Sequence, residues 1–344
     1  MVRTGASAYV RYGFEDTYGA GAGAITNSFG LKTGVSTWTL TTNRTALAAL
    51  GQVEPTTFAY GQQQGSLSIG FVFGDTTSYK IFQAIYGVPD ETSGTDKIFG
   101  GLDAGDAIRT MHPTGDSVPN DDGLTFTTEI GIDLEGTTTN NIRTLNGCIL
   151  NTLSLSAAIN DTVNCTADIT YGKEDAPSTN YAVGNNPAET SAPFTFAHGT
   201  LALRTSDGAE TIAALQEADV NFTQNTDLLY KLGSNQATSS YKRVLDITGR
   251  FRASWLNTDK LLAVINQQAG SGHKETWGDA YAGGGTDVEL NLTFDNAATG
   301  KALVITLNGL SFADHSVTGL EPVEPIFEEL NWQAKTCKVT ADIA

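Results

Sequence analysis

Residues 38–51, W-T-L-T-T-N-R-T-A-L-A-A-L-G, share a skeleton with residues 220–233, V-N-F-T-Q-N-T-D-L-L-Y-K-L-G. Thr41, Asn43, Leu47, Leu50 and Gly51 return as Thr223, Asn225, Leu229, Leu232 and Gly233, and Leu40 corresponds to Phe222, all at one offset. Residues 66–71 (S-L-S-I-G-F) then align with 246–251 (D-I-T-G-R-F), and Lys80-Ile81-Phe82 with Lys260-Leu261-Leu262, after a shift of two residues. Thr144-Leu145-Asn146-Gly147 recurs letter for letter as Thr306-Leu307-Asn308-Gly309. The offset is shorter there, so the first copy carries an insertion, placed at residues 88–123. A fixed order of elements with slack in one loop is what duplication of a folded unit leaves behind, because loops absorb length changes that strands and helices cannot. The expected organisation is an arm (1–23), a first copy (24–173), a linker (174–193) rich in Pro, Asn, Ser and Gly, and a second copy (194–344).

At 344 residues the chain has room for two domains, each with its own core. Charged residues make up 17% of a Gly-rich chain whose apolar positions favour Val, Ile, Phe and Tyr in short runs, which is strand-and-turn composition. The net charge of −18 is shared by both copies and contains no basic run, so phosphate-grasping binding of nucleic acid is disfavoured. Cys148, Cys165 and Cys337 form no C-x-x-C and leave an odd count, so three buried thiols are expected rather than a disulfide framework. No charged start leads into an apolar run, and no apolar stretch reaches membrane-helix length, so neither a signal peptide nor a membrane span is expected.

Along the chain, residues 1–23 are aromatic and Gly-rich and carry Arg3 and Arg11. Tyr9, Tyr12, Phe14 and Tyr18 are costly to leave in water, so this arm is expected to dock on something, and the glycines from Gly19 to Gly23 read as a flexible hinge. Residues 36–42 and 67–73 alternate as core strands of an antiparallel sheet. Residues 77–86 change period, which predicts a short helix capped by Asp75 or a Thr and stopped by Gly87; residues 257–268 predict its counterpart. The insertion at 88–123 holds eight acids and two bases and is expected to be an exposed loop. Residues 124–134 predict a strand, and 148–156 with 163–171 a hairpin turning near Asn160-Asp161; the second-copy counterparts are 288–294, 302–311 and 327–335.

Chemistry-bearing patterns are sparse. His112, His198, His273 and His315 are scattered without H-x-x-x-H spacing, and Asp103, Asp106, Asp121 and Asp122 lack the order of a calcium loop. The glycines at 19–23 lack the G-K-S/T ending of a phosphate loop, and no G-x-S-x-G elbow occurs. Neither an enzyme nor a cofactor or metal site is expected.

Tyr9-Val10-Arg11-Tyr12-Gly13 with Glu15 and Tyr18-Gly19, and the run from Asn146 through Cys148 to Ser156 leading to Asp168-Ile169-Thr170-Tyr171-Gly172-Lys173, together resemble the tail tube (major tail) proteins of long-tailed phages and related archaeal viruses. The resemblance spans nearly the whole chain. It implies a mainly β protein of two tandem β-sandwich domains, each with one flanking helix. Such subunits close into rings whose inner sheets form a barrel, and the rings stack into the tail of a virion assembled in the host cytoplasm. The implied partners are further copies of the chain, the tape measure protein, and tail terminator and baseplate or tip proteins, with DNA crossing the lumen without specific binding and no membrane involved. With two domains per chain, a homotrimer of pseudo-sixfold symmetry is expected, with a homohexamer as the alternative. Arg3, Tyr9, Arg11 and Tyr12 are expected to make an arm that bridges rings. Two rivals stand beside this reading: an outer-membrane porin, which would show lipid-facing alternation and aromatic girdles, and a secreted adhesin or carbohydrate-binding module.

Overall fold

Leu67, Ile69 and Phe71 alternate with Ser66, Ser68 and Gly70, and that period of two sends one set of side chains into a core and the other to solvent. The same rule organises the whole chain. A computed structural model describes residues 8–48, 50, 54–55, 57–87, 89, 96–100, 125–132, 142–175, 191–205, 208–211, 215–241, 243–254, 289–318 and 326–342. In chain order the first half comprises β1 (Ala8–Phe14), β2 (Leu31–Leu47), β3 (Thr57–Val72), α1 (Gln83–Tyr86), β4 (Asp96–Gly100), β5 (Phe126–Ile132), β6 (Ile142–Ala158), β7 (Asn164–Tyr171) and β8 (Lys173–Asp175). The second half comprises β9 (Gly199–Thr205), β10 (Gly208–Thr211), β11 (Leu215–Thr223), β12 (Asp227–Leu229), β13 (Ser239–Tyr241), β14 (Asp246–Ser254), β15 (Glu289–Asn296), β16 (Lys301–Asn308), β17 (Ser311–Thr318), β18 (Phe327–Ala334) and β19 (Thr336–Asp342).

The large sheet runs β2-β3-β7-β6-β11-β14-β18-β17, every pair antiparallel. Two smaller groups cover it: β1-β5-β6-β8, where the first part of β6 belongs to the covering layer, and β10-β9-β15-β16-β19-β4. This is a mainly β protein of sandwich type. The core between the layers is apolar and aromatic, with Tyr12, Phe29, Phe73, Phe82, Phe126, Phe194, Phe222, Phe251 and Phe294 fully buried.

Both halves use the same device to pass a strand from one layer to the other. After Asn146 and again after Asn308 the chain turns at a glycine with positive φ, 64° at Gly147 and 66° at Gly309, a conformation an L side chain adopts only at a cost. Each turn is followed by a bulge, between Leu150 and Thr152 in the first half and between Phe312 and Asp314 in the second. Sheet registers also revise the alignment. Leu40 lies opposite Gly65 and Phe222 opposite Ile247, so by register Gly65 matches Ile247 and the offset of the first strand holds through β3. Side-chain volumes trade places across the next ladder. A Cβ on Gly65 would fall 1.9 Å from the Tyr171 ring, whereas Ile247 faces the small Ala334. Leu67 and Ile169 share their space evenly, whereas Gly249 leaves all of it to Trp332. Conserving total volume keeps the packing density while hiding the correspondence from letter matching.

Several expectations change. Residues 78–86 form a 3₁₀ turn running into the single α turn of α1, stopped by Gly87 as expected, but Thr77 makes no side-chain cap; Asp75 instead receives the Ala192 N–H and the Thr299 hydroxyl. The insertion at 88–123 is not wholly an exposed loop, because β4 lies inside it and inserts Phe99 between Tyr79 and Phe82 with its ring buried; a buried aromatic outweighs the acidic composition around it. Residues 101–123 lie outside the described residues, as do 257–268, where the second helix is expected. Both ends of the stretch 174–193 are built in, through β8 and through the pairing of Gly74 with Pro193; residues 176–190 lie outside the described residues. The glycines at 19–23 are strapped down rather than hinged, by Gly19 N–H donating to Glu15 and Ala22 N–H donating to Thr127. All three cysteines are free and buried, as expected.

Candidate assembly interface

In the large sheet the halves are joined by the end strand of the first run, β6, and the end strand of the second run, β11. Val220 lies opposite Leu155, Asn221 opposite Ser154, Phe222 opposite Leu153 and Thr223 opposite Thr152. Phe222 is fully buried because the segment around α1 covers it, the Phe82 ring at 5.8 Å and the Tyr86 ring at 6.3 Å, both edge-on. Gln224 donates to the Ala84 carbonyl, Thr299 to Asp75, and Lys301 to Thr76. β4 adds to the edge of β19, so a first-half strand extends the second-half covering layer.

Among the described residues the sheet ends at β2 on one side and β17 on the other, each with one neighbour. In the strand order β2 holds the place in the first run of four that β11 holds in the second, and β17 the place that β6 holds in the first. Exposure follows that difference. Leu40 is 46% exposed whereas Phe222 is 0%, and Val317 is half-buried whereas Leu155 is 2% exposed. An unpaired edge is a template for another strand, and one that matches a joint already present is a template for the same chain.

The solvent face of the sheet is polar, built largely of hydroxyl side chains with more carboxylates than guanidinium groups. Its first half presents Ser66, Ser68, Ser154, Thr166 and Asp168, with Ser68 donating to Asp168 at 2.6 Å. In the second half Arg250 collects Asp219 at 2.6 Å, Glu217 at 2.5 Å and Glu329 at 3.6 Å. Hydrogen bonding to Asp219, with the other two carboxylates adding, raises the Arg250 pKa against a smaller opposing effect of partial burial. Arg252 lies opposite Glu217 and Glu329 on the same face, so two guanidinium groups stand among three carboxylates and the cluster keeps a net negative charge.

The repeat-defining residues take three places. Thr41 and Asn43 lie in β2, and Thr223 ends β11. Asn225, with φ of 49°, binds the Val244 carbonyl and Asp246. Leu47, Leu50, Leu229 and Leu232 gather at projecting tips: β2 and β3 run on as a two-stranded ribbon beyond β7, beside the β12–β13 hairpin. The Tyr230 hydroxyl and the Asn235 carbonyl hold the two tips together through Gln63. Leu50 and Leu232 are fully exposed, at 108% and 105%. Gly233 has φ of 91°, and Gly51 lies outside the described residues. Asn146, Gly147, Asn308 and Gly309 form the layer crossings described above.

The expected arm is docked on its own chain from Ala8 onward. β1 pairs with β5, Tyr9 donates to Glu129, Arg11 pairs with Glu129 at 2.7 Å, and Tyr12 is fully buried. Burial raises the pKa of Tyr12 far above that of an exposed phenol. Arg3 lies outside the described residues. Sequence reasoning named Glu15 only within the resemblance and gave it no role; its buried carboxylate accepts from Thr125, Thr127 and the N–H groups of Gly19 and Gly147, pinning the start of the chain to the layer crossing. An acid followed by turn glycines in an otherwise aromatic strand is the signal that marks it.

The family model described as phage tail tube protein matches residues 5–334. No curated protein matches the chain.

Proposed function

Because the chain belongs to the phage tail tube protein family and is a structural component of the virion tail, we propose that three copies close into a ring and that stacked rings form the tube. One observation carries this reading: the eight-stranded path is two equivalent runs of four joined head to tail, with the unused ends equivalent to the strands joined. Such an interface is heterologous, so repeating it closes a ring if the rotation permits. Three chains supply about 24 strands; at ~4.8 Å spacing and a tilt of ~40° the barrel is near 50 Å across its backbone, wide enough for a duplex inside its side chains. Six chains would double the strand count and require one half of each chain to leave the barrel, although both halves keep the edges that closure uses.

In this reading the acidic face with Asp168, Asp219, Glu217 and Glu329 lines the lumen. The lumen encloses the tape measure protein and later passes DNA, which a negative wall repels rather than holds. Tail terminator and baseplate or tip proteins cap the two ends. In this reading the arm, residues 1–23 with Arg3, Tyr9, Arg11 and Tyr12, also bridges adjacent rings. Purification without detergent followed by negative-stain microscopy tests the proposal. Rings or tubes with a central channel support it, and monodisperse single chains at high concentration contradict it.

A further inference from the structure

We infer that neighbouring chains meet in one defined antiparallel register, with Leu40 of one chain opposite His315 of the next, Thr39 opposite Ser316 and Thr41 opposite Asp314. The inference rests on the ring proposed above but goes beyond it, because ring closure alone fixes no register.

The register follows from ladders inside the chain. Leu40 lies opposite Gly65, and Gly65 opposite Tyr171; Phe222 lies opposite Ile247, and Ile247 opposite Ala334. Two residues past Tyr171 and Ala334, Lys173 faces Asn146 and Thr336 faces Asn308. Four residues past each Asn come Leu150 and Phe312, each just before its bulge, facing Ile169 and Trp332, which stand two residues before Tyr171 and Ala334. The circuit closes without slack, so Leu40 is equivalent to Phe222, and Thr152, Leu153 and Ser154 to Asp314, His315 and Ser316. Transferring the observed pairs of the internal joint, Asn221 with Ser154, Phe222 with Leu153 and Thr223 with Thr152, gives the register stated.

Burial agrees with it. Leu40 shares the core face of β2 with Trp38, whose indole N–H donates to the Tyr171 hydroxyl at 3.0 Å. Leu40 nevertheless stays 46% exposed, because among the described residues no ring covers it as Phe82 and Tyr86 cover Phe222. A slip of one residue would turn Leu40 into the polar lumen, and a slip of two would misplace the bulge after Phe312, so the period of the strands enforces one register. The occupant of this edge is a second copy of the chain, since the surface continues an interface the chain already makes with itself.

Cysteine pairs read the register directly. Thr39 and Ser316 lie at opposite ends of the sheet, so a disulfide between them joins different chains, and the native thiols are buried. Assembled T39C/S316C protein, mildly oxidised, should give reducible covalent products ending at three chains. The T37C/S316C pair, displaced by two positions to about 7–8 Å, should cross-link at least tenfold less. If the double variant does not assemble, a mixture of the T39C and S316C single variants should give covalent dimers. Cross-linking that favours the displaced pair, or tubes that form without cross-linking, overturns the register. A ladder running on to six chains keeps the register and overturns three-chain closure.

Discussion

Alanine at Phe222 and alanine at Leu40 remove equivalent side chains from two joints, one permanent and one made only on assembly. Phe222 is fully buried with aromatic rings from the other half at 5.8 and 6.3 Å, so F222A opens a cavity between covalently linked halves. Such truncations cost roughly 3–5 kcal/mol. Leu40 is 46% exposed in the single chain, where L40A removes about half of a leucine's burial, roughly 1 kcal/mol. Once a neighbour covers it, the same truncation should cost roughly 2–3 kcal/mol, as in an ordinary core. Urea unfolding of dissociated chains, followed by fluorescence, gives the first pair of values. The denaturant midpoint for ring dissociation gives the second. The reasoning fails if L40A destabilises the dissociated chain as much as F222A does, or if it leaves ring dissociation unchanged.

Three further outcomes follow. G147A should destabilise more than G309A: both force an L residue to positive φ, roughly 1 kcal/mol, but a Cβ at 147 falls 2.7 Å from the Tyr18 ring whereas at 309 it meets only the flexible stem of Lys335, a difference that thermal unfolding resolves. Burial pushes the Cys148 and Cys337 thiols up from 9.0 to about 12, so the folded chain keeps them neutral while the unfolded chain ionises them. Stability should therefore be intact below pH 9 and fall as pH rises toward 12, by roughly 1.4 kcal/mol per pH unit per thiol, with thiol reagents at pH 8 labelling only the denatured protein. We expect the projecting tips, each carrying a fully exposed leucine, to meet the next ring: L50S/L232S should leave chain stability within about 0.5 kcal/mol yet shorten the tubes seen by microscopy, and tubes of normal length would contradict that contact.

Much of this architecture is legible in the sequence. The T-L-N-G repeats mark the two layer crossings, because only a glycine takes the backbone through positive φ without strain, and alternation marks the strands because each faces one core and one solvent surface. The alignment of the third strand is not legible, because Gly65 with Tyr171 and Ile247 with Ala334 fill one volume in opposite ways, a trade between strands far apart in sequence. β4 is hidden inside an acidic insertion because its pairing partner, β19, belongs to the other half of the chain. The arm's aromatic residues do signal docking, but composition alone does not name the acceptor, which is β5 of the same chain.

The most direct test of the central claim is the mass of one isolated ring, measured by native mass spectrometry and by rotational averaging of end-on views. Three chains of 36.3 kDa predict about 109 kDa and threefold symmetry with a pseudo-sixfold outline. A ring of about 218 kDa with true sixfold symmetry would contradict the account.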